Sequence, residues 1–346
     1  LVPAPRSTPA APCGKKNQHP LFYRQAEITG AHRRPMISKL LTIAANTFIE
    51  SLRQPAFISI LGAVSLLLAL NPAISILTLG EDQKLLIDLG LSTILLGGLF
   101  LSAFTATGSI SAEIDNKTIL AVLTKPVAKQ VFISGKYLGV CAVISLACWI
   151  WTMVFLLGVR HGAISAAWDT ADIPVISFGT IALGLALLVA AWGNYFRSWN
   201  FPTALSALLA VFLPLAWGMV LIVDKSWSLQ PVSTEFTGEG KPTGQVLLAL
   251  LLILQALWLL ASVAIACSTR LRQLSTLLIL FGVFLLGLSS DLSFAPNLQL
   301  HWMSDAISLE IPISPAYIAM VSAYTVLFIG AILCLASALF EGRETG

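Results

Sequence analysis

The stretch LGVCAVISLACWIWTMVFLLGV, residues 138–159, contains no Asp, Glu, Lys, Arg or His. As a helix these residues would extend about 33 Å at a rise of 1.5 Å each, enough to cross the roughly 30 Å hydrocarbon core of a bilayer. The apolar positions are continuous rather than alternating, which argues against a strand of a membrane barrel. An unsatisfied backbone polar group is too costly in lipid for open structure, so a run of this kind spans as a helix.

Seven further runs of the same character flank it: Phe57 to Leu79, Leu89 to Ile110, Ile173 to Phe196, Phe201 to Val223, Val246 to Ser268, Leu274 to Ser290 and Pro315 to Phe340. The run from Leu274 is the shortest. The whole chain is 57% hydrophobic and 11% charged, far more apolar than a soluble domain of its length needs for a core. The expected fold class is all-α, a polytopic transmembrane helical bundle of about eight spans over residues 57–346, with the lipid bilayer as its surroundings.

Lysine and arginine placement orients such a bundle, because cytoplasmic loops retain positive charge. Counted from Met36, one side collects Lys39, Arg53, Lys117, Lys125, Lys129, Lys136, Arg197, Arg270, Arg272 and Arg343, and the other only Lys84, Arg160, Lys225 and Lys241. This split predicts an inner (plasma) membrane protein with both termini cytoplasmic. Residues 224–244 and 291–314 then form outside loops, the first too polar and too rich in Gly and Pro to be buried. The formal charge is +3 with no basic cluster interleaved with aromatics, so no nucleic-acid partner is expected. Cys141, Cys148, Cys267 and Cys334 fall in apolar runs, where Cys packs as a small apolar residue.

Residues 1–35 form a polar, basic, proline-punctuated leader without an apolar segment, expected to be disordered and outside the fold, either upstream of a natural start at Met36 or as a cytoplasmic tail. Residues 36–55 read as an amphipathic elbow helix. Ile37, Leu40, Leu41, Ala44, Phe48 and Leu52 share one face while Lys39, Thr42, Asn46, Glu50 and Arg53 share the other, a pattern suited to lying flat at the membrane interface. Pro55 marks the corner into the first span.

Between spans two and three stands a charged segment, GSISAEIDNKTILAVLTKPVAKQVFISGKYLG at residues 108–139. Glu113 and Lys117 are four apart in the order that supports a helix. Pro126 suits the first turn of a second helix, where its missing N–H costs nothing. The expected geometry is helix, corner at Lys125 and Pro126, helix, and then span three from near Gly139.

The segment EIDNKTILAVLTKPVAKQVFISGKYLG, together with ANTFIESLRQP at residues 45–55, resembles the permease subunits of ABC-2 type transporters. The likeness is to the branch of the nitrous-oxide-reductase maturation and gliding-motility permeases. In that family an acidic residue, a Thr-Ile pair, a Leu-Ser/Thr-Lys/Arg-Pro turn and a Gly-Lys recur in order. They would be Glu113, Thr118 with Ile119, Leu123 to Pro126, and Gly135 with Lys136. The resemblance implies an exporter subunit that works as a dimer with a second permease copy and is driven by a separate cytoplasmic ABC ATPase. Residues 111–136 would be the cytoplasmic coupling segment, with Glu113, Asp115, Lys117, Thr118, Lys125, Pro126 and Lys136 as coupling residues. Many relatives have six spans, whereas eight are counted here.

Other functions fit the residues less well. No Walker A sequence is present, so this chain is not expected to be an enzyme or to hold a cofactor, and ATP with Mg²⁺ would sit on the partner ATPase. The alternative is an ion-coupled secondary carrier or another polytopic membrane scaffold; against the carrier, none of the eight runs carries an ionisable group of the kind proton relays use. His301 beside Trp302 reads as an interfacial pair, and no catalytic or metal-ligand spacing stands out. Gly97, Gly98, Ala103 and Ala106 would allow close helix approach, within the subunit or against a second copy.

Overall fold

The computed structural model describes residues 36–76, 82–115, 128–163, 170–237, 243–289 and 296–344, and for 111–115 and 341–344 the backbone alone. Among them the chain is helical without strands, and the helices follow the apolar runs. They are α1 (Met36–Leu52), α2 (Pro55–Ser75), α3 (Asp82–Asp115), α4 (Lys129–His161), α5 (Ile173–Arg197), α6 (Phe201–Ile222), the single turn α7 (Thr234–Thr237), α8 (Thr243–Ser268), α9 (Gln273–Gly287), α10 (Ser304–Ser308) and α11 (Pro315–Glu344). Seven of these, α2 to α6, α8 and α11, are long and apolar enough to cross a membrane. The protein is an all-α, multi-pass membrane bundle.

Helix ends are set by local chemistry. Pro55 begins α2, Asp172 caps α5 by accepting from the Val175 N–H at 3.2 Å, and Asn200 caps α6 by accepting from the Thr203 N–H at 3.2 Å. Between α5 and α6 the chain reverses within three residues. Ser198 takes a left-handed conformation at φ 54°, and the Trp199 ring folds back over Gly193, where a Cβ would fall 2.1 Å from the ring. Only glycine fits under that indole.

α4 and α8 are enclosed for most of their length and form the centre of the bundle. The Trp151 indole of α4 is fully buried and donates to the Leu61 carbonyl of α2 at 3.2 Å. On another face of α4, the Tyr137 hydroxyl donates to the Trp258 carbonyl of α8, and the Trp258 indole returns a bond to the Ser145 hydroxyl. Gly97 of α3 meets Val64 of α2, Gly98 meets Leu257 of α8, and Ala103 and Ala106 are fully buried. This small-residue stripe is therefore used within the subunit.

The expected elbow is a helix, yet its apolar residues are used differently from the sequence pattern. Gly135 of α4 faces Ile43 and the Leu40 carbonyl, and Gly139 faces Thr47 and the Ala44 carbonyl. Contacts that advance together on both chains mean that α1 runs alongside α4 in the same direction. The α1 face turned to the protein is Leu40, Ile43, Ala44, Thr47, Phe48, Ser51 and Leu52, while Ile37 and Leu41 are exposed. Two glycines on α4 give backbone-close packing, and this places the interface by fit as well as by hydrophobicity.

The apolar run from Leu274 to Ser290 is also corrected, because it folds only as the 15-residue α9, about 22 Å long. α8 and α11 run parallel: Gln245 accepts from the Ile313 N–H, Gln255 donates to Ser322, and Arg270 donates to the Leu339 carbonyl. The chain must return along the bundle between them, and α9 covers only part of that distance. Residues 296–303, with a 3₁₀ turn at Gln299–His301, pack at the other end of α9. The Leu298 N–H and the Gln299 side chain bond the carbonyls of Gly287 and Leu288, satisfying groups that the end of α9 leaves open.

Candidate functional site

Of the residues expected to couple this chain to an ATPase, Glu113 and Asp115 lie on the last turn of α3, which continues unbroken from Asp82. Lys117, Thr118, Lys125 and Pro126 lie outside the described residues. Lys136 departs from expectation: instead of standing on a separate platform helix it lies inside α4, which starts at Lys129 and runs into the third span without a corner at Gly139. Its side chain is buried, with the ammonium 5.7 Å from the centre of the Phe132 ring. That Phe132 ring in turn stacks on Phe340 of α11, at 5.9 Å between ring centres.

A long apolar cavity lies elsewhere. A cleft of about 700 Å³ runs between α2 and the α5–α6 hairpin, with α4 as its floor. Its lining begins at Ile58, near one end of α2, and reaches Ile76 at the other, about 27 Å of helix. Leucines from α5 and α6 form one wall, and Ser65, Thr180 and His161 provide the few polar groups.

At the Ile76 end, α4 finishes in Arg160, His161 and Gly162, and Gly162 has φ 71°, a conformation that leaves glycine unstrained. Arg160 is almost fully enclosed and meets three carboxylates. Its Nε is 3.6 Å from Asp172, one terminal nitrogen is 3.3 Å from Asp224, and the other contacts Glu235. Asp172 is completely buried, Glu235 nearly so, and Asp224 is partly open to solvent. Gln230 also reaches Glu235, at 3.4 Å. One guanidinium thus ties together the end of α4, the start of α5 and the segment after α6, next in sequence to His161 and Gly162 of the cleft lining. Its planar fork of five donors suits such multiple contacts better than a lysine would.

Neither feature stands out in the sequence. Arg160 is one of four basic residues on the side expected to be poor in them, while Asp172, Asp224 and Glu235 belong to scattered loops. A lone arginine at the end of an apolar run, facing an acid-rich side, was the available signal. Residues 224–244 were expected to be unburied, but Glu235 is buried because Arg160 compensates its charge.

His301 is a second correction. Rather than an interfacial pair with Trp302, it is buried at 2% exposure, its Nε2 2.9 Å from the Thr325 hydroxyl. The neighbouring Asn297 N–H and Leu300 carbonyl bond the hydroxyls of Tyr324 and Tyr317, so α11 satisfies much of this irregular turn. Cys141 and Cys148 are buried and unpaired in α4, consistent with packing, and no group of three or more potential ligands gathers among the described residues.

No protein-family model matches the chain, and no curated protein matches it either.

Proposed function

We propose that this chain is the membrane-spanning permease subunit of an ATP-binding cassette transporter of the ABC-2 type. On this reading it is an exporter in an inner membrane, with cytoplasmic termini, a second permease copy and a separate ATPase that carries ATP and Mg²⁺. The motif order from Glu113 to Lys136 supports the family reading. The observation that carries the mechanical part is the continuity of α3 and α4, helices of 34 and 33 residues on either side of the 116–127 segment. α4 is also the floor of the cleft, and its last turn holds Arg160. A push on the 111–136 segment would therefore act through rigid rods on the cavity and on the ion cluster beside its His161 end.

The test is charge reversal at Glu113 and Lys117, each alone and then together, in protein expressed with its ATPase. Single reversals should weaken co-purification and ATP-driven transport. Undiminished association and transport would overturn the proposal.

An ion-coupled carrier is the second reading, and it gains one observation. His301 is a titratable group held inside the bundle at a break in helical structure, the kind of place where carriers bind coupling ions. Transport driven by a proton gradient in vesicles without ATP, and lost in His301→Gln, would favour it.

A further inference from the structure

We propose that the cleft between α2 and the α5–α6 hairpin is a slot for one hydrocarbon chain. As cargo recognition this rests on the permease reading: the transported molecule is an amphiphile with one chain in the slot and an uncharged or zwitterionic head at the Arg160 end.

The dimensions select the occupant. Spread over about 27 Å of helix, 700 Å³ gives a mean cross-section of about 26 Å². A slot this narrow for its length suits a slender flexible chain.

The walls agree. On α2 small residues (Gly62, Ser65, Ala69, Ala73) alternate with larger apolar ones such as Leu61 and Leu66, and Leu183, Leu187, Leu209 and Leu213 line the slot from α5 and α6. Gly62 and Gly179 hold it open: a Cβ at Gly62 would meet nothing within 4 Å, and one at Gly179 would meet only Leu157 at 3.7 Å. Larger side chains would fit at both positions, at the expense of the slot.

A hydrocarbon tail gains little by leaving lipid for an apolar slot, because lipid tails are as apolar as leucine. Selection must therefore come from the slot's shape and from its polar end. There His161 and Gly162 line the cavity. Behind them Asp172, Asp224 and Glu235 stand with Arg160, while Lys225 acts on His161 through its charge. Among the described residues, three carboxylates against two cations beside the lining disfavour an anionic head.

The purified full chain is photolabelled with palmitoyl lysophosphatidylcholine carrying a diazirine on its chain, and in parallel with the matching lysophosphatidylglycerol. The expected adducts lie on α2 and α5 at positions facing the slot, with the glycerol lipid labelling severalfold less. Gly62→Phe should lower slot labelling about ten-fold, equivalent to roughly 1.4 kcal/mol of binding. Leu327→Phe, on an exposed face of α11, should leave it unchanged.

Adducts spread over all exposed faces, slot labelling that Gly62→Phe does not lower, equal labelling by the anionic lipid, or efficient crosslinking of Gly62→Cys between two copies would each overturn the proposal. If Gly62→Phe fails to fold, the wild-type adduct map decides alone. ATPase association is scored on the same preparations. Slot labelling without association would sink the permease reading and leave the slot, whereas association without slot labelling would do the reverse.

Discussion

Replacing Arg160 with methionine keeps most of the side-chain length and removes the charge, leaving its acidic neighbours without their shared guanidinium. The loss is unequal among the three contacts. Asp224 is 43% exposed on its side chain, so water replaces much of what Arg160 gave it, and its share is about 0–1 kcal/mol. Asp172 and Glu235 are 0% and 5% exposed, so they would be left as buried charges without Arg160. Breaking a buried pair by removing one partner costs about 3–5 kcal/mol. For a chain of this size about 2 °C per kcal/mol is a fair conversion, so the apparent melting temperature in detergent should fall by about 6–10 °C.

Neutralising the carboxylates as well should restore most of this. Asp172→Asn keeps an oxygen that can accept from the Val175 N–H, so the cap on α5 survives. With Glu235→Gln added, Arg160→Met leaves no enclosed charge in the cluster, and replacing a buried ionic group with neutral residues of similar size is often close to neutral in stability. The assay is thermal denaturation followed by loss of the monodisperse peak in size-exclusion chromatography, applied to the single, double and triple variants. A single variant that melts within about 1 °C of the parent would show that Arg160 holds nothing together. A triple variant as unstable as the single one would show that its contribution is packing rather than charge.

Two further outcomes test the packing. Gly139→Leu places a Cβ 2.6 Å from Thr47 and 2.7 Å from the Ala44 carbonyl, so α1 should be pried from α4 at a cost of about 1–3 kcal/mol. Faster proteolysis near Arg53 and Gln54 would report it, and an unchanged cleavage rate would contradict the observed register. Trp151→Phe should cost about 1–3 kcal/mol, mostly through the space left in a fully buried site, since interhelical hydrogen bonds in bilayers average only about 0.6 kcal/mol. Trp149→Phe removes a similar bond, to Ala210 at 3.1 Å, from a side chain 47% exposed, and should cost less in the same melting assay. Equal losses would refute the central place given to Trp151.

The helices were legible because membrane segments declare themselves: a long apolar run has few alternatives to a helix, and seven of the eight runs from Phe57 to Phe340 became one of full length. The eighth misled because hydropathy reports burial rather than helical continuity, and the residues after it, 296–303, make hydrogen bonds with Tyr317, Tyr324 and Thr325 that no local pattern reveals. The face of α1 was legible in part, with Leu40, Ala44, Phe48 and Leu52 turned to the protein but Ile37 and Leu41 exposed, for a related reason. Periodicity sums hydrophobicity along one helix, whereas the contact was decided by Gly135 and Gly139 on another. Arg160 and its carboxylates come from three separate segments, and only the fold brings them together.

The cleft and the cluster are joined through α4, and this constrains how any transport cycle could use them. The α5–α6 hairpin is tied to α4 by the Trp149 bond to Ala210 and, at the Ile76 end of the cleft, by Arg160 reaching Asp172 and Asp224. Widening the cleft at that end requires Arg160 to part from Asp172 or from the segment after α6, and parting exposes charges that the closed arrangement conceals. Water entering the gap would stabilise them, so the open form would be wet and the closed form dry. On the permease reading, the neutralised triple variant should then retain stability while losing the bias toward closure. It would leak small solutes in reconstituted vesicles without ATP, whereas the parent would not. A tight triple variant would place the gate elsewhere and leave Arg160 a purely structural role.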